Sequence, residues 1–141
     1  MSFDLYFMSN SDAAKPFSFG YVSAVGVNGL LKMVNRWTKC LLTRKGSDAF
    51  SRNEGTTFVN MTGSNVSDTQ DVFDLATLAI EDCNTQIRAF DQRAALTAEE
   101  RFSSAAITRI ERIDASRYDI WVTVKNSTGQ TAAVSLPTKG Y

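Results

Sequence analysis

The side chains able to do chemistry are few in this chain, and their types narrow what it can do. There is no histidine among its 141 residues. That removes the commonest general base, the usual partner of a Ser or Cys nucleophile, and the commonest metal ligand. Cys40 and Cys83 are too few and too far apart in sequence for a zinc site. Hydrolysis of a glycosidic bond needs two carboxylates about 5 to 10 Å apart across a cleft. Glu54, Glu81, Glu99 and Glu100 qualify by type alone, and none lies in the apolar setting that makes a carboxyl group a general acid. The 8 glycines are scattered through turns and form no phosphate-cradling loop. No catalytic centre, cofactor or metal is expected.

Charge and composition narrow the partners. Lys and Arg total 15 and Asp and Glu total 15, so the formal net charge is zero. A protein that binds nucleic acid through phosphates usually carries a basic excess, because affinity comes from displacing counterions. Arg36, Lys39, Arg44 and Lys45 recur at helical spacing and read as the wet face of a helix, so nucleic acid is not an expected partner. The N-terminus lacks the basic region and apolar run of a signal peptide, and no stretch approaches the ~20 apolar residues of a membrane helix. Synthesis in the cytoplasm, with no membrane partner, is the expectation. Free buried thiols are the default in that setting, although the sequence leaves a Cys40–Cys83 disulfide open.

The elements that would position a working surface come next. Val27, Leu30, Val34, Trp37 and Leu41 recur at steps of three and four, which predicts an amphipathic helix over 27–43. Arg44 and Lys45 would fall in its last turn and Gly46 would end it with a left-handed residue. The polar loop after it, closed by Gly55, is a candidate contact surface. Residues 57–61 read as a brief extended piece and 62–65 as a turn. Ser67 and Gln70 fit a capping box opening a long second helix. Ala76, Ile80, Cys83, Ile87, Phe90 and Ala94 form its stripe at spacings of 4 and 3, and Phe73, Leu75 and Leu78 broaden that stripe near the start. This stripe is expected to pack on the first helix; a coiled coil with a partner chain is the minority alternative.

Residues 102–113 have mixed periodicity, and the segment after them favours a strand. Tyr118, Ile120, Val122 and Val124 alternate with Asp119, Trp121, Thr123 and Lys125. A loop at 126–130 and a return strand over 131–136, ended by Pro137, complete a three-stranded antiparallel meander. Ahead of the first helix, Phe3, Leu5 and Phe7 alternate as a short strand, and Phe17, Phe19, Tyr21 and Val22 cluster without a period. Residues 1–26 are thus an extended arm that packs on its own domain or docks on a neighbouring subunit. Residues 27–141 are one α+β domain, two amphipathic helices packed on a small antiparallel sheet. At this length the chain buries roughly 70% of its unfolded surface.

The order of these features resembles a known family. A helix running into Leu41-Leu42-Thr43-Arg44-Lys45-Gly46, a short Asp/Phe/Arg loop, and Gly55-Thr56 are similar to the lysozyme-like baseplate wedge, or sheath-initiator, family of contractile-tailed phages. Related subunits occur in type VI secretion machines. The likeness extends over about 27–136 through the long helix, Ser104-Ala105 opening a strand, and Gly129 in the hairpin turn. Many members carry a Glu-Pro-Arg anchor; here Glu99-Glu100-Arg101 would stand in its place without the proline that restricts the backbone.

The resemblance implies a virion protein assembled in the host cytoplasm, a structural subunit with baseplate wedge core proteins and the tail sheath subunit as partners. Tail tube or hub would meet the N-terminal arm. Arg44, Lys45, Gly46, Arg52, Glu54, Glu100 and Arg101 are the residues expected to dock the wedge. Ile120, Val122, Val124, Ala132, Val134 and Leu136, on the last two strands, are expected to accept a sheath strand by edge addition, which a proline at Val134 would test. A small nucleic-acid-binding or head–tail joining module using the basic helix face is the alternative.

Overall fold

A computed structural model of the chain describes residues 6–8, 18–20, 29–61, 68–114 and 117–138, the first two segments by backbone alone. Helix α1 is Gly29–Leu42, α2 is the single turn Phe58–Met61 and α3 is Thr69–Arg93. A 3-10 turn at Ala98–Glu100 leads into strands β3 (Phe102–Arg112), β4 (Tyr118–Asn126) and β5 (Thr131–Pro137). Two short strands precede them, β1 (Tyr6–Met8) and β2 (Ser18–Gly20), paired antiparallel with Phe7 opposite Phe19. The chain is therefore α+β, as its patterning predicts. Phe3, Leu5, Phe17, Tyr21, Val22, Val27 and the 62–65 turn lie outside the described residues.

The three later strands form the expected meander, in order β3-β4-β5 and antiparallel throughout. Ile120 lies opposite Ile110 on one side and Leu136 on the other. Because successive side chains alternate faces, Ile120, Val122 and Val124 share one face with Val134 and Leu136. All five are buried, packed in one core with Met33, Trp37 and Leu41 of α1 and Ala76, Ile80, Cys83 and Ile87 of α3. Each large side chain so buried contributes roughly 1.5–3 kcal/mol relative to exposure.

Several boundaries differ from expectation. Helix α1 stops at Leu42, so Lys39 is the basic residue of its last turn, and Arg44 instead makes an isolated parallel bridge with Thr56. Gly46 does have positive φ, +82°, but in a separate turn where the Ser47 N–H donates to the Arg44 carbonyl at 3.0 Å. Residues 58–61 are helical, not extended. The Thr56 hydroxyl accepts the Phe58 N–H at 3.2 Å, and a helical turn buries both Phe58 and Met61 on one side. The N-cap of α3 is Asp68, whose carboxylate accepts the Gln70 N–H at 3.2 Å.

The stripe on α3 is buried only in part. Ala76, Ile80, Cys83 and Ile87 are buried, but the Phe90 ring is half out in solvent, where the Arg36 guanidinium lies 5.1 Å from its centroid. Two polar residues take the inward positions instead, Asn84 and Asp91. Phe73, Leu75 and Leu78 do not broaden the stripe: all three are exposed, Leu78 being about 200° round the helix from Ala76.

Asn84 and Asp91 are fully engaged. The Asn84 Oδ1 accepts the Trp37 indole N–H at 2.9 Å, and its Nδ2 donates to the Ala105 carbonyl at 3.2 Å. The Asp91 carboxylate accepts from Arg36 Nη2 and from the Phe102 N–H, both at 2.7 Å. Each residue joins α1, α3 and the start of β3. Replacing Asp91 with Ala leaves a largely buried guanidinium without its charge partner and the buried Phe102 N–H without its acceptor. A loss of about 3 kcal/mol in denaturant-determined stability is expected, with Asp91→Asn losing less.

Candidate functional site

Loop 43–56 folds back on the end of α1. The Thr56 N–H donates to the Thr43 carbonyl at 2.8 Å, the Lys45 N–H to the Thr56 carbonyl at 3.1 Å, and the Thr56 hydroxyl to the Leu41 carbonyl at 2.7 Å. Gly55 is required there. Its φ is +98°, and a Cβ at this position would lie 2.5 Å from the Thr43 carbonyl oxygen. The Gln86 side-chain amide of α3 grips the same residue from the other side, accepting the Gly55 N–H at 3.0 Å and donating to its carbonyl at 2.9 Å. So the base of the loop is fixed by backbone and helix alike.

Its tip is different. The Asp48 carboxylate accepts the Phe50 N–H at 2.9 Å, an Asx turn that holds the backbone, while the Phe50 ring is wholly exposed. A solvent-facing aromatic on a held backbone is what a binding hot spot presents, because little side-chain entropy is lost on docking. In the sequence this phenylalanine stands out only within the Asp/Phe/Arg motif, since one ring in a polar loop gives no periodic signal.

The seven residues expected to dock a wedge fall into two groups at opposite ends of α1. Arg44, Lys45, Gly46, Arg52 and Glu54 are exposed on the loop after its C-terminus. Lys45 is engaged within the chain, its Nζ lying 3.4 Å from Asp82 of α3. Glu100 and Arg101 belong to the turn packed on the N-terminal half of α1. Glu100 is buried, its carboxylate 3.7 Å from Lys32 and its carbonyl accepting Arg36 Nη2 at 2.8 Å. That makes Glu100 an internal tie, and the 98–101 turn is held further by the β4–β5 turn. The Asn126 Nδ2 donates to the Glu99 carbonyl and the Ser127 N–H to the Arg101 carbonyl, at 3.0 and 2.9 Å. Of this pair only Arg101 is exposed.

The strand-addition residues divide as well. Ile120, Val122 and Val124 belong to β4, which pairs with β3 on one side and β5 on the other, so that strand has no free edge. Of the two strands expected to accept a partner, only β5 borders open space among the described strands. The hydrogen-bond parity of β5 is fixed at both ends. The Thr138 N–H donates to the Tyr118 carbonyl, and the Asn126 N–H to the Gln130 carbonyl, at 2.9 and 3.0 Å. Alternation between those ends aims the amides of Ala132, Val134 and Leu136 at β4, leaving those of Thr131 and Ala133 on the outer edge. The side chains of Val134 and Leu136 are core, with Ala132 partly exposed.

The first part of the opposite edge is closed by α3. Along the first half of β3, the Phe102 N–H donates to Asp91, Arg88 Nη2 donates to the Ser103 carbonyl at 3.1 Å, and Asn84 Nδ2 donates to the Ala105 carbonyl. Further along, the pairing with β4 is irregular between Ile107 and Arg109. Beyond that irregularity Arg109 and Arg112 stack over Trp121 and Tyr118. Bulges and edge charges of this kind discourage pairing.

The remaining candidates are apart from one another. Glu54, Glu81 and Glu99 are exposed on three different elements, and Glu100 is tied to Lys32. Among the described residues no helix is long and apolar enough to cross a membrane. The chain matches no protein-family model, no curated protein and no solved structure. Replacing Gly55 with Ala is expected to cost about 2 kcal/mol or more, from the left-handed backbone and the clash with Thr43 together. Thermal unfolding measures it, and Gly129→Ala, where an added Cβ meets nothing within 4 Å, is the matched control for the positive-φ cost alone.

Proposed function

We propose that this chain is a structural subunit of a contractile-tail baseplate, taking an extended sheath segment along the outer edge of β5 and docking the wedge core through loop 47–55. The observation that carries the reading is the asymmetry of the sheet. The start of one edge, Phe102–Ala105, is capped by side chains of α3, and the other edge presents the backbone of Thr131 and Ala133, flanked by Pro137, which has no N–H to offer. An edge left open, while the other is capped at its start and irregular and charged beyond, is suited to strand addition, where main-chain hydrogen bonds supply affinity and alternate side chains supply selection. The resemblance to the sheath-initiator family supports the same role, since an initiator must offer a sheet to the first sheath arms. The wholly exposed Phe50 on its braced loop supplies the second contact.

The nucleic-acid alternative draws on a basic face that is largely engaged. Lys32, Arg36 and Lys45 each face a carboxylate, and Lys39 and Arg44 are exposed outside those pairs. Two cations suit a phosphate surface poorly.

The parity of β5 selects the test. Proline at Val134 would remove a donor to β4 and is expected to cost about 3 kcal/mol, so it would report on folding. Proline at Ala133 removes an outward N–H and is tolerated at an edge. In tagged pull-downs from cells producing the native particle, the unmodified chain should recover wedge and sheath proteins together. Ala133→Pro should keep the wedge proteins and lose sheath, whereas Phe50→Ala should lose the wedge proteins. Sheath retained by a folded Ala133→Pro variant would contradict strand addition at this edge.

A further inference from the structure

Cys40 and Cys83 face each other across the α1–α3 interface. The Cys83 thiol donates to the Trp37 carbonyl at 3.4 Å and the Cys40 thiol to the Gln86 Oε1 at 3.5 Å. Both bonds cross between the helices. Trp37 lies one turn before Cys40, and Gln86 one turn after Cys83, so the two sulfurs occupy the same layer of the interface, near enough to perturb each other's titration. Both thiols are free.

Their surroundings are unequal. Cys83 is completely buried, whereas Cys40 is partly exposed, at the side of the helix where Gly55 closes the loop. The Cys83 thiol beside it holds the Cys40 thiol below its ordinary pKa, with help from the Gly55 backbone amide and against burial and the carboxylates of Glu54 and Asp82. The neighbouring Cys40 sulfur, together with burial, pushes the Cys83 thiol up. One sulfur is accessible and more readily a thiolate; the other is inaccessible and adjacent, and attacks once it gives up its proton. These are the separate requirements of an attacking and a resolving thiol.

We propose that Cys40 and Cys83 form a redox-active dithiol that a low-molecular-weight disulfide converts to an intramolecular disulfide, stapling α1 to α3. In the first step the Cys40 thiolate attacks one sulfur of the small disulfide. A mixed disulfide forms on Cys40 and one small thiolate leaves. In the second step Cys83 gives its proton to solvent or to the departing thiolate and attacks the Cys40 sulfur, expelling the second small thiol. Two protein thiols are oxidised by two electrons, and one small disulfide is reduced to two thiols. Forming the bond brings the two sulfurs to about 2.05 Å. The staple would lock the helix pair that carries both loop 43–56 and the closed edge of β3.

The test uses the full chain in glutathione buffers of increasing oxidised fraction, quenched with N-ethylmaleimide and read by intact mass and peptide mapping. Expected are the loss of two hydrogens, maleimide on neither cysteine, a Cys40–Cys83 cross-linked peptide, and a Tm raised by on the order of 10 °C. Dithiothreitol should reverse all four. Cys83→Ala should stop at a glutathione adduct on Cys40, and Cys40→Ala should leave Cys83 unmodified. The proposal is overturned if the unmodified chain accumulates the Cys40 adduct with Cys83 still free. It is equally overturned by Cys40-linked dimers, or by two thiols that stay reduced at every ratio. These readouts come from the unmodified chain, so poor folding of either variant would not obscure them.

Discussion

Asp91 is a carboxylate that α3 carries into the protein interior. Burying such a charge costs several kcal/mol unless it is paired and hydrogen-bonded. Here the Arg36 guanidinium and the Phe102 N–H meet it at 2.7 Å each. The same guanidinium also donates to the Glu100 carbonyl, so one ion pair fixes α1, the turn before β3, and the first residue of the sheet. Two helical turns back, Asn84 repeats the pattern between the Trp37 indole and the Ala105 carbonyl. Neither residue can shift along its axis without stranding a buried group. The polar seam thereby fixes where β3 sits under α3.

A consequence of the seam is that the sheet has unlike edges. Asn84, Arg88 and Asp91 spend their hydrogen bonds on β3 backbone groups that would otherwise invite another strand. No equivalent helix lies along β5 among the described residues, and its parity turns alternate amides outward. The loop after α1 has the same division between a fixed base and a presented tip. Gln86 and the Gly55 backbone hold the base, and Phe50 is carried outward on an Asx turn. An open strand edge and an exposed aromatic on a braced loop are features of an assembly subunit, and they give the baseplate proposal its physical content.

Much of this fold is legible in the chain, for identifiable reasons. Alternation at 118–124 marks the inner face of β4 because a half-buried strand has a strict period of two. The two long helices emerge from apolar spacing. The illegible parts depend on tertiary context. Asn84 and Asp91 look like solvated positions until their partners on α1 and β3 are in view, while Leu75 and Leu78 lie about 100° and 200° round the helix from Ala76, off its buried side. Helix α1 ends before its expected stop because Gly46 carries its positive φ in a turn of its own. Strand order places Ile120, Val122 and Val124 in the middle of the sheet, and no single strand's composition announces its neighbours. Glu100 and Arg101 adjoin in sequence, yet only one of them is buried.

Strand addition requires that β5 have a free outer edge whose amides alternate with those bonded to β4. Residue-resolved amide hydrogen exchange on the isolated full chain addresses this most directly. Ala132, Val134 and Leu136 should exchange slowly, near the global unfolding limit, while Thr131 and Ala133 exchange faster by on the order of 100-fold or more. Uniformly slow exchange across all five amides would show the edge already covered within the chain and would contradict a free edge on β5.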